Sequence, residues 1–249
     1  MFENSVKAKL KAGEVVYGCF IPFINADLVE YVAMLDFDFL VFEGEHSTLS
    51  PAQCSDLVRA ASLRGTTPIA RVPTNQAHII LQFLDTGVHG IHVPQVNTGA
   101  EAEQVIQSAK YHPRGNRGLA GTRAADFGMS MSLGDYTQLA NQETLTVVHV
   151  ETAESVKRIH EFIAIDDLDV IFVGATDLSQ SLGYTGQRDH PEVMKAIDTV
   201  FEAVLPSDKA LGFYVSSPDQ ALYWRKRGVK YIACGLGTIL KLGVNSYRG

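Results

Sequence analysis

The sequence lacks long apolar runs. Charges break every hydrophobic stretch well before the ~18 residues that cross a bilayer, so no membrane-spanning helix is expected. The opening MFENSVKAKLKAGEVV reads as a short charged helix, without the apolar middle and small-residue cleavage site of a secretion signal. A soluble, cytoplasmic protein is the expectation. Cysteine is scarce: Cys19, Cys54 and Cys234 are the only three, and none forms a C-x-x-C pair. That excludes a recognisable zinc knot or disulfide framework and leaves reduced thiols. Basic charge is not in excess either. A net charge of −7 and a pI near 5.6 argue against a nucleic-acid partner, which needs a basic face. The one basic stretch, YHPRGNRGLAGTR, is local and suits a small anion better.

What is present is rhythm. Eight runs rich in β-branched or aromatic residues occur at 15–21, 37–45, 67–72, 90–96, 145–151, 169–174, 210–215 and 230–236. Between them lie NADLVEYVAML, PAQCSDLVRAASLRG, NQAHIILQFLDTG, GAEAEQVIQSAKYH, TAESVKRIHEFIAIDD, HPEVMKAIDTVFEAV and SPDQALYWRKRG. These carry apolar residues three and four apart, the helical spacing, and Gly65, Gly87 and Gly228 sit where helices should stop. A chain of 249 residues, 46% hydrophobic, fits one domain spanning 1–249. Alternating strands and helices of this number predict a (β/α)8 TIM barrel. No Gly-rich dinucleotide loop follows the first strand, which weakens an open nucleotide-binding sheet. One segment, 113–144, interrupts the rhythm; rich in Gly, Arg and Asp, it is expected to serve the active-site face. After the eighth strand only GTILKLGVNSYRG follows, so a truncated C-terminal helix is expected.

In such a barrel the carboxyl ends of the strands collect the chemistry. Glu151 ends the fifth strand and Asp177 follows the sixth, so one βαβ unit sets them side by side. Two hard anionic oxygens there can hold Mg²⁺, Mn²⁺ or a similar ion, or can serve as ordinary rim carboxylates in a salt bridge or helix cap. His46 follows the second strand and is either a general base, a role suited to imidazoles as a class, or a surface histidine beside a helix start. Arg71 ends a strand buried on both faces, so it needs an anionic partner, structural or substrate. His149 lies two residues before Glu151 and shares its side; ligand, supporting donor and core histidine all stay open. Glu43 and Glu45 share a face and are read as ion-pair partners of a neighbouring Lys or Arg. His89 and His92 are read as structural, without compatible partners. No lysine stands beside these groups, which argues against a Schiff-base enzyme.

The motifs FLVFEGEH, IARV…LQFLDTG, HVPQVNT, YHPRGNRG, VHVET and FVGATDLSQSLG, followed by HPEV, resemble in order the HpcH/HpaI family of class II pyruvate aldolases, over about residues 15–240. The resemblance implies a barrel of the phosphoenolpyruvate/pyruvate type. It also implies a homohexamer built as a trimer of dimers, and a divalent cation (Mg²⁺, Mn²⁺ or Co²⁺). The implied reaction is reversible cleavage of a 4-hydroxy-2-oxo acid to pyruvate or a related 2-oxo acid and an aldehyde. Carried across, Glu151 and Asp177 match the metal ligands, with Asp177 also close to substrate. His46 matches the catalytic base and Arg71 the arginine that steadies enolate and carbonyl oxygens. Asp85 matches an aspartate that raises the histidine's basicity, although it ends a helix, which sets it toward the far rim unless packing brings it round or a neighbouring subunit is involved. Gly174 to Thr176 match the loop that meets the pyruvate carboxylate, and Phe20 and Tyr214 the aldehyde pocket. The sequence departs from the family at Glu43, where Asp is usual, at His149, where a pyruvate-contacting Gln is usual, and at Gly174-Ala175, in place of Gly-Pro. With an acyl thioester as partner, the same site implies a citrate synthase-like condensation in which Arg123 holds an additional carboxylate. A non-catalytic 2-oxo acid sensor is a third possibility, made less attractive by the intact His46, Arg71, Glu151 and Asp177.

Overall fold

Eight parallel strands close into a barrel in chain order, β1 pairing with both β2 and β8. They are β1 (Val16–Ile21), β2 (Phe39–Glu43), β3 (Thr67–Arg71), β4 (Gly90–Val93), β5 (Leu145–Val150), β6 (Val170–Val173), β7 (Ala210–Tyr214) and β8 (Tyr231–Gly235). The computed structural model describes residues 3–249. The (β/α)8 expectation holds, and each strand lies inside or within a residue of its expected run. No helix among the described residues is long and apolar enough to cross a membrane.

Period-two alternation sorts every strand into two sets. One set faces the helices and joins the main core, as do Val148 and Val150 of β5. The other fills the barrel interior: Phe20, Phe39, Val41, Ile69, Leu145, Val147, Val170, Phe172 and Tyr231 form a second buried cluster. Large rings fit because small residues oppose them. Phe39 stacks on Tyr231 at 4.2 Å, and a Cβ on Gly18 would run into the Phe39 ring. Likewise a Cβ on Gly212 would stand 2.6 Å from Phe172. The interior is therefore a packed core, with open space only at its ends.

The amino end is plugged. Helix α1 (Ser5–Lys11) begins at Asn4, whose side chain accepts from Lys7 N at 3.1 Å and donates to the His89 and Glu143 carbonyls at 2.9 Å. Its first two expected residues, 1 and 2, lie outside the described part. The return helices are α2 (Ala26–Ala33), α3 (Pro51–Ser62), α4 (Ala77–Asp85) and α5 (Gly99–Ala109), then α6 (Leu133–Glu143) before β5. The single helix expected after β5 is broken at Arg158 (φ −102, ψ 13) into α7 (Ala153–Lys157) and α8 (Ile159–Ile163). Two helices follow β6, α9 (Ala175–Ser181) and α10 (Pro191–Val204); α11 (Pro218–Lys226) precedes β8 and α12 (Leu236–Arg248) ends the chain.

Segment 113–144 is not where it was expected. It follows α5, which has already returned the chain to the amino end of the strands. There Lys110 Nζ bonds the Asn141 and Thr144 carbonyls at 2.7 and 2.9 Å, Arg117 meets Asp85 at 2.8 Å, and Arg123 meets the Thr86 carbonyl at 2.8 Å. The connection is long, but it leaves the mouth at the carboxyl ends uncovered.

Candidate active site

The inward alternation decides what reaches the mouth. On every strand but β4, the last inward residue, or the one just beyond the strand, reaches it: Phe20, Glu43, Arg71, Glu151, Gly174, Tyr214 and Gly235. All of these line one cavity of about 670 Å³, with His149 and Phe172 as its floor. His46 from the loop after β2, and Thr176 and Asp177 from the first turn of α9, join the wall. Seven of the residues singled out in the sequence for metal or substrate (Glu151, Asp177, Gly174, Thr176, Phe20, Tyr214 and His149) thus meet, together with His46 and Arg71. A larger cavity, about 860 Å³, lies at the amino end. Three of its four lysines are engaged: Lys7 with Asp169, Lys209 with Asp208, and Lys230 with the Gly13 carbonyl. No lysine lines the mouth among the described residues.

Asp85 and Arg123 do not reach this pocket within one chain. Asp85 closes α4 at the amino-end rim, where it pairs with the buried Arg117. Arg123 is held by the Thr86 carbonyl at the same rim. Both placements follow from helix direction, because a helix that leaves a strand's carboxyl end delivers its own last residues to the opposite side.

Arg71 has found its anion. Its Nε donates to Glu43 Oε2 at 2.8 Å and Oε1 at 3.0 Å, its Nη2 also meets Glu43, and Nη1 lies 3.1 Å from Glu45 Oε2. The guanidinium also sits 5.3 Å from the Phe20 ring centre. Glu43 and Glu45 are therefore ion-pair partners, as their shared face suggested. Glu43 Oε1 further accepts from the main-chain N–H of Glu45 at 2.7 Å and of His46 at 3.0 Å. One buried carboxylate thereby fixes both Arg71 and the backbone that carries His46. The imidazole itself is 65% exposed, with Nε2 3.8 Å from Glu45 Oε2. Burial pushes the Glu45 carboxyl above its ordinary value; Arg71 opposes the rise and the charge of Glu151 adds to it.

Glu151 is buried and held from two sides. Oε1 accepts from Gln95 N at 2.7 Å, and Oε2 faces His149 Nδ1 at 3.2 Å. Burial alone would raise its carboxyl. The His149 hydrogen bond, the Gln95 N–H and Arg71 outweigh burial and hold it below the usual range. Gly174 stands against it: a Cβ there would come 2.5 Å from Glu151 Oε2. Asp177, in the first turn of α9, has no ion-pair or hydrogen-bond partner among the described residues. Each carboxylate keeps free lone pairs toward the cavity. No group of three or more His, Cys, Asp or Glu among the described residues is arranged around a common ion position. Two hard carboxylates with open coordination fit Mg²⁺ or Mn²⁺, which leave several positions to water or ligand oxygens.

His149 and His92 are both more connected than their sequence positions suggest. His149 Nε2 lies 3.0 Å from His92 Nδ1, and His92 Nε2 lies 2.8 Å from the Tyr231 hydroxyl. His92 is thus not without partners: it shares the barrel interior with β5 and β8, a neighbourhood that only ring closure creates. Burial above all, with the charge of Arg71 adding to it, presses the His92 imidazole well below its ordinary value. With both nitrogens engaged, His149 turns ring carbons to the cavity and stacks on Phe172 at 4.9 Å. Arg188, from the loop after α9, also lines the cavity and was not singled out in the sequence. Its position between the sixth strand and the next long helix was the available signal, since every such loop returns to this rim.

A closed parallel barrel with its ionisable side chains gathered around one pocket at the carboxyl ends of the strands is the architecture of a barrel enzyme. Comparison with known proteins narrows this. The sequence profile of the HpcH/HpaI aldolase/citrate lyase family matches residues 16–242. A 5-keto-4-deoxy-D-glucarate aldolase of Shigella boydii is 32% identical over 235 residues, covering 94% of this chain and 91% of the relative. A hydroxypyruvate/pyruvate aldolase of Roseobacter denitrificans is 31% identical over 241 residues, covering 96% and 93%. Among solved structures, an HpcH/HpaI aldolase/citrate lyase family protein from Burkholderia cenocepacia superposes with a TM-score of 0.91 at 28% identity, covering 99% of this chain and all of that one. The citrate synthase SbnG superposes at 0.87 with 28% identity, covering 99% and 97%. The chain belongs to the HpcH/HpaI aldolase/citrate lyase family, and it is accordingly a carbon–carbon lyase.

Proposed function

We propose that this enzyme is a divalent-metal-dependent aldolase that reversibly cleaves a 4-hydroxy-2-oxo acid to pyruvate, or a related 2-oxo acid, and an aldehyde. The observation that carries this is the meeting of Glu151, Asp177, Arg71 and His46 around one cavity that contains no lysine. Glu151 and Asp177 would hold the cation. When bound, it supplies Lewis-acid stabilisation of the negative charge that cleavage places on the 2-oxo acid. Arg71, anchored by Glu43 and Glu45, presents a fixed guanidinium edge to the same developing charge without needing to reorganise. His46 is exposed at the rim, where its imidazole can take the proton of the C4 hydroxyl, directly or through a water, and return it in the condensation direction. Gly174 and Thr176 border the place for the 2-oxo acid carboxylate. Phe20 and Tyr214, with ring centres 6.2 Å apart, form an apolar wall for the aldehyde. The relatives named for a keto-deoxy sugar acid and for hydroxypyruvate/pyruvate support a small, hydroxylated acid as substrate.

Asp85 enters this scheme only from a neighbouring copy, since its own chain sends it to the far rim. We propose a homo-oligomer, a hexamer arranged as a trimer of dimers, in which that rim meets another subunit's mouth. The exposed Leu240, Val244 and Tyr247 of α12 support an oligomer by leaving apolar surface to be covered.

Chelation tests the central assignment. Treatment with EDTA should abolish pyruvate release from 4-hydroxy-2-oxo acids, and Mg²⁺, Mn²⁺ or Co²⁺ should restore it. Full turnover in excess chelator would overturn the assignment. The likeness to citrate synthase SbnG favours one other electrophile, an acyl thioester. Citrate formed from oxaloacetate and acetyl-CoA, without aldol cleavage across a panel of hydroxy-oxo acids, would select that chemistry instead.

A further inference from the structure

We propose that Tyr231, His92 and His149 are positioning residues. They form a one-directional hydrogen-bond relay through the barrel interior that orients the Glu151 carboxylate. The inference rests on the reading of Glu151 as a cation ligand only for its consequence, and the direction of the relay stands apart from it. All four side chains are at most 2% exposed, so no solvent completes or breaks the chain.

Direction follows from which groups can donate. An ionised carboxylate only accepts, so the Glu151–His149 contact requires the proton on His149 Nδ1. His149 Nε2 is then bare and accepts, which places a proton on His92 Nδ1. His92 Nε2 is bare in turn and accepts from the Tyr231 hydroxyl. Each imidazole is neutral and each nitrogen satisfied. The opposite arrangement would make His149 doubly protonated and turn His92 Nε2 into a donor. The Tyr231 hydroxyl proton would then face a buried interior with no acceptor. Tyr231 is itself locked by its stack on Phe39, and His149 by its stack on Phe172. The far end of the relay is thus rigid, and the near end holds Oε2 while the Gln95 N–H holds Oε1. Side chains behind a ligand commonly set its orientation and affinity in this way.

The relay also explains why a histidine can stand at position 149. Its nitrogens are spent on Glu151 and His92, so it acts through the carboxylate and makes no polar contact with substrate. Imidazole ¹⁵N spectra of the full-length, metal-free protein test this directly. Both His149 and His92 should carry their proton on Nδ1, and Tyr231→Phe should move the His92 Nε2 resonance toward that of an unbonded bare nitrogen. A proton on His149 Nε2 in the unmodified protein would overturn the proposal. Mn²⁺ titration provides the second readout. His149→Phe, which keeps the stack on Phe172, should weaken Mn²⁺ binding about tenfold. His149→Gln, whose amide can still donate to Glu151, should recover most of it. Unchanged Mn²⁺ affinity in a folded His149→Phe would also sink the positioning role. If the unmodified protein binds no Mn²⁺ while the spectra show the expected protons, the relay holds and the cation assignment falls.

Discussion

At the scale of single residues, this protein shows how one buried anion can organise several neighbours. Glu43 accepts from Arg71 and from two backbone N–H groups, and so ties the third strand to the loop that bears His46. Because His46 stands exposed at the rim and its backbone is fixed, replacing it should remove chemistry without disturbing the fold. His46→Asn is expected to lower the turnover number for aldol cleavage by about a hundredfold or more. Steady-state kinetics beside an unchanged melting temperature would check it. Buried histidines give a second residue-scale expectation. Burial carries the His89 imidazole down to about 4, and His92 is also pressed well below the 6.5 of a free imidazole. Below about pH 6.5 the unfolded chain takes up protons that these folded sites refuse, so stability must fall with acid. It should be level above pH ~6.5 and drop by about 1.4 kcal/mol per pH unit for each histidine down to about 4.5. Most of that window lies above about pH 5, where unfolded carboxylates begin to take up protons. Urea midpoints from pH 8 to pH 4.5 provide the measurement, and a flat profile would contradict the burial argument.

At the scale of elements, the turn from β6 into α9 is the most constrained piece of the mouth. Gly174 has φ −85, a value open to any residue, so its backbone does not call for glycine. Space does: an added Cβ would lie 2.8 Å from Glu151 Cβ and closer still to Oε2. Gly174→Ala should therefore displace the Glu151 carboxylate and reduce activity about tenfold or more, since an ångström of misplacement is enough for that. Metal titration and rate measurements on the folded variant would show both effects, whereas a harmless Gly174→Ala would mean that Glu151 has room to give. Helix ends tell the same story of local rules obeyed. Ser50 caps α3 through a reciprocal pair with Gln53 and is followed by Pro51, so the helix after His46 begins where the sequence says it must.

At the scale of the whole molecule, barrel closure separates two rims with different work. The carboxyl ends gather the pocket. The amino ends carry α1, segment 113–144 and the Asp85–Arg117 pair. If Asp85 serves a site, it must do so across a subunit boundary. Mixed oligomers report on this without further structure. His46→Asn and Asp85→Asn should each be nearly inactive alone. Refolded together in equal amounts, they should regain roughly a quarter of the activity, the share of sites that draw an intact residue from each partner. No recovery, or full activity of Asp85→Asn alone, would remove Asp85 from the mechanism.

Spacing along the chain was enough to place the eight strands, the shared sides of His149 with Glu151 and of Glu43 with Glu45, and the rim that collects Glu151, Asp177, Arg71 and His46. Those features depend on spacing along the chain: period two sorts a strand, and strand direction sets which end is the mouth. Tertiary structure alone decided which far-apart residues became neighbours. His92, His149 and Tyr231 touch because β4, β5 and β8 turn their side chains into the same closed interior, and no spacing between 92, 149 and 231 encodes that. The same holds for segment 113–144, whose Gly- and Arg-rich composition resembles that of a mouth loop, yet α5 had already carried the chain to the other end. Local periodicity is written in consecutive residues, but contact across a barrel depends on register and ring closure, which belong to all eight strands together.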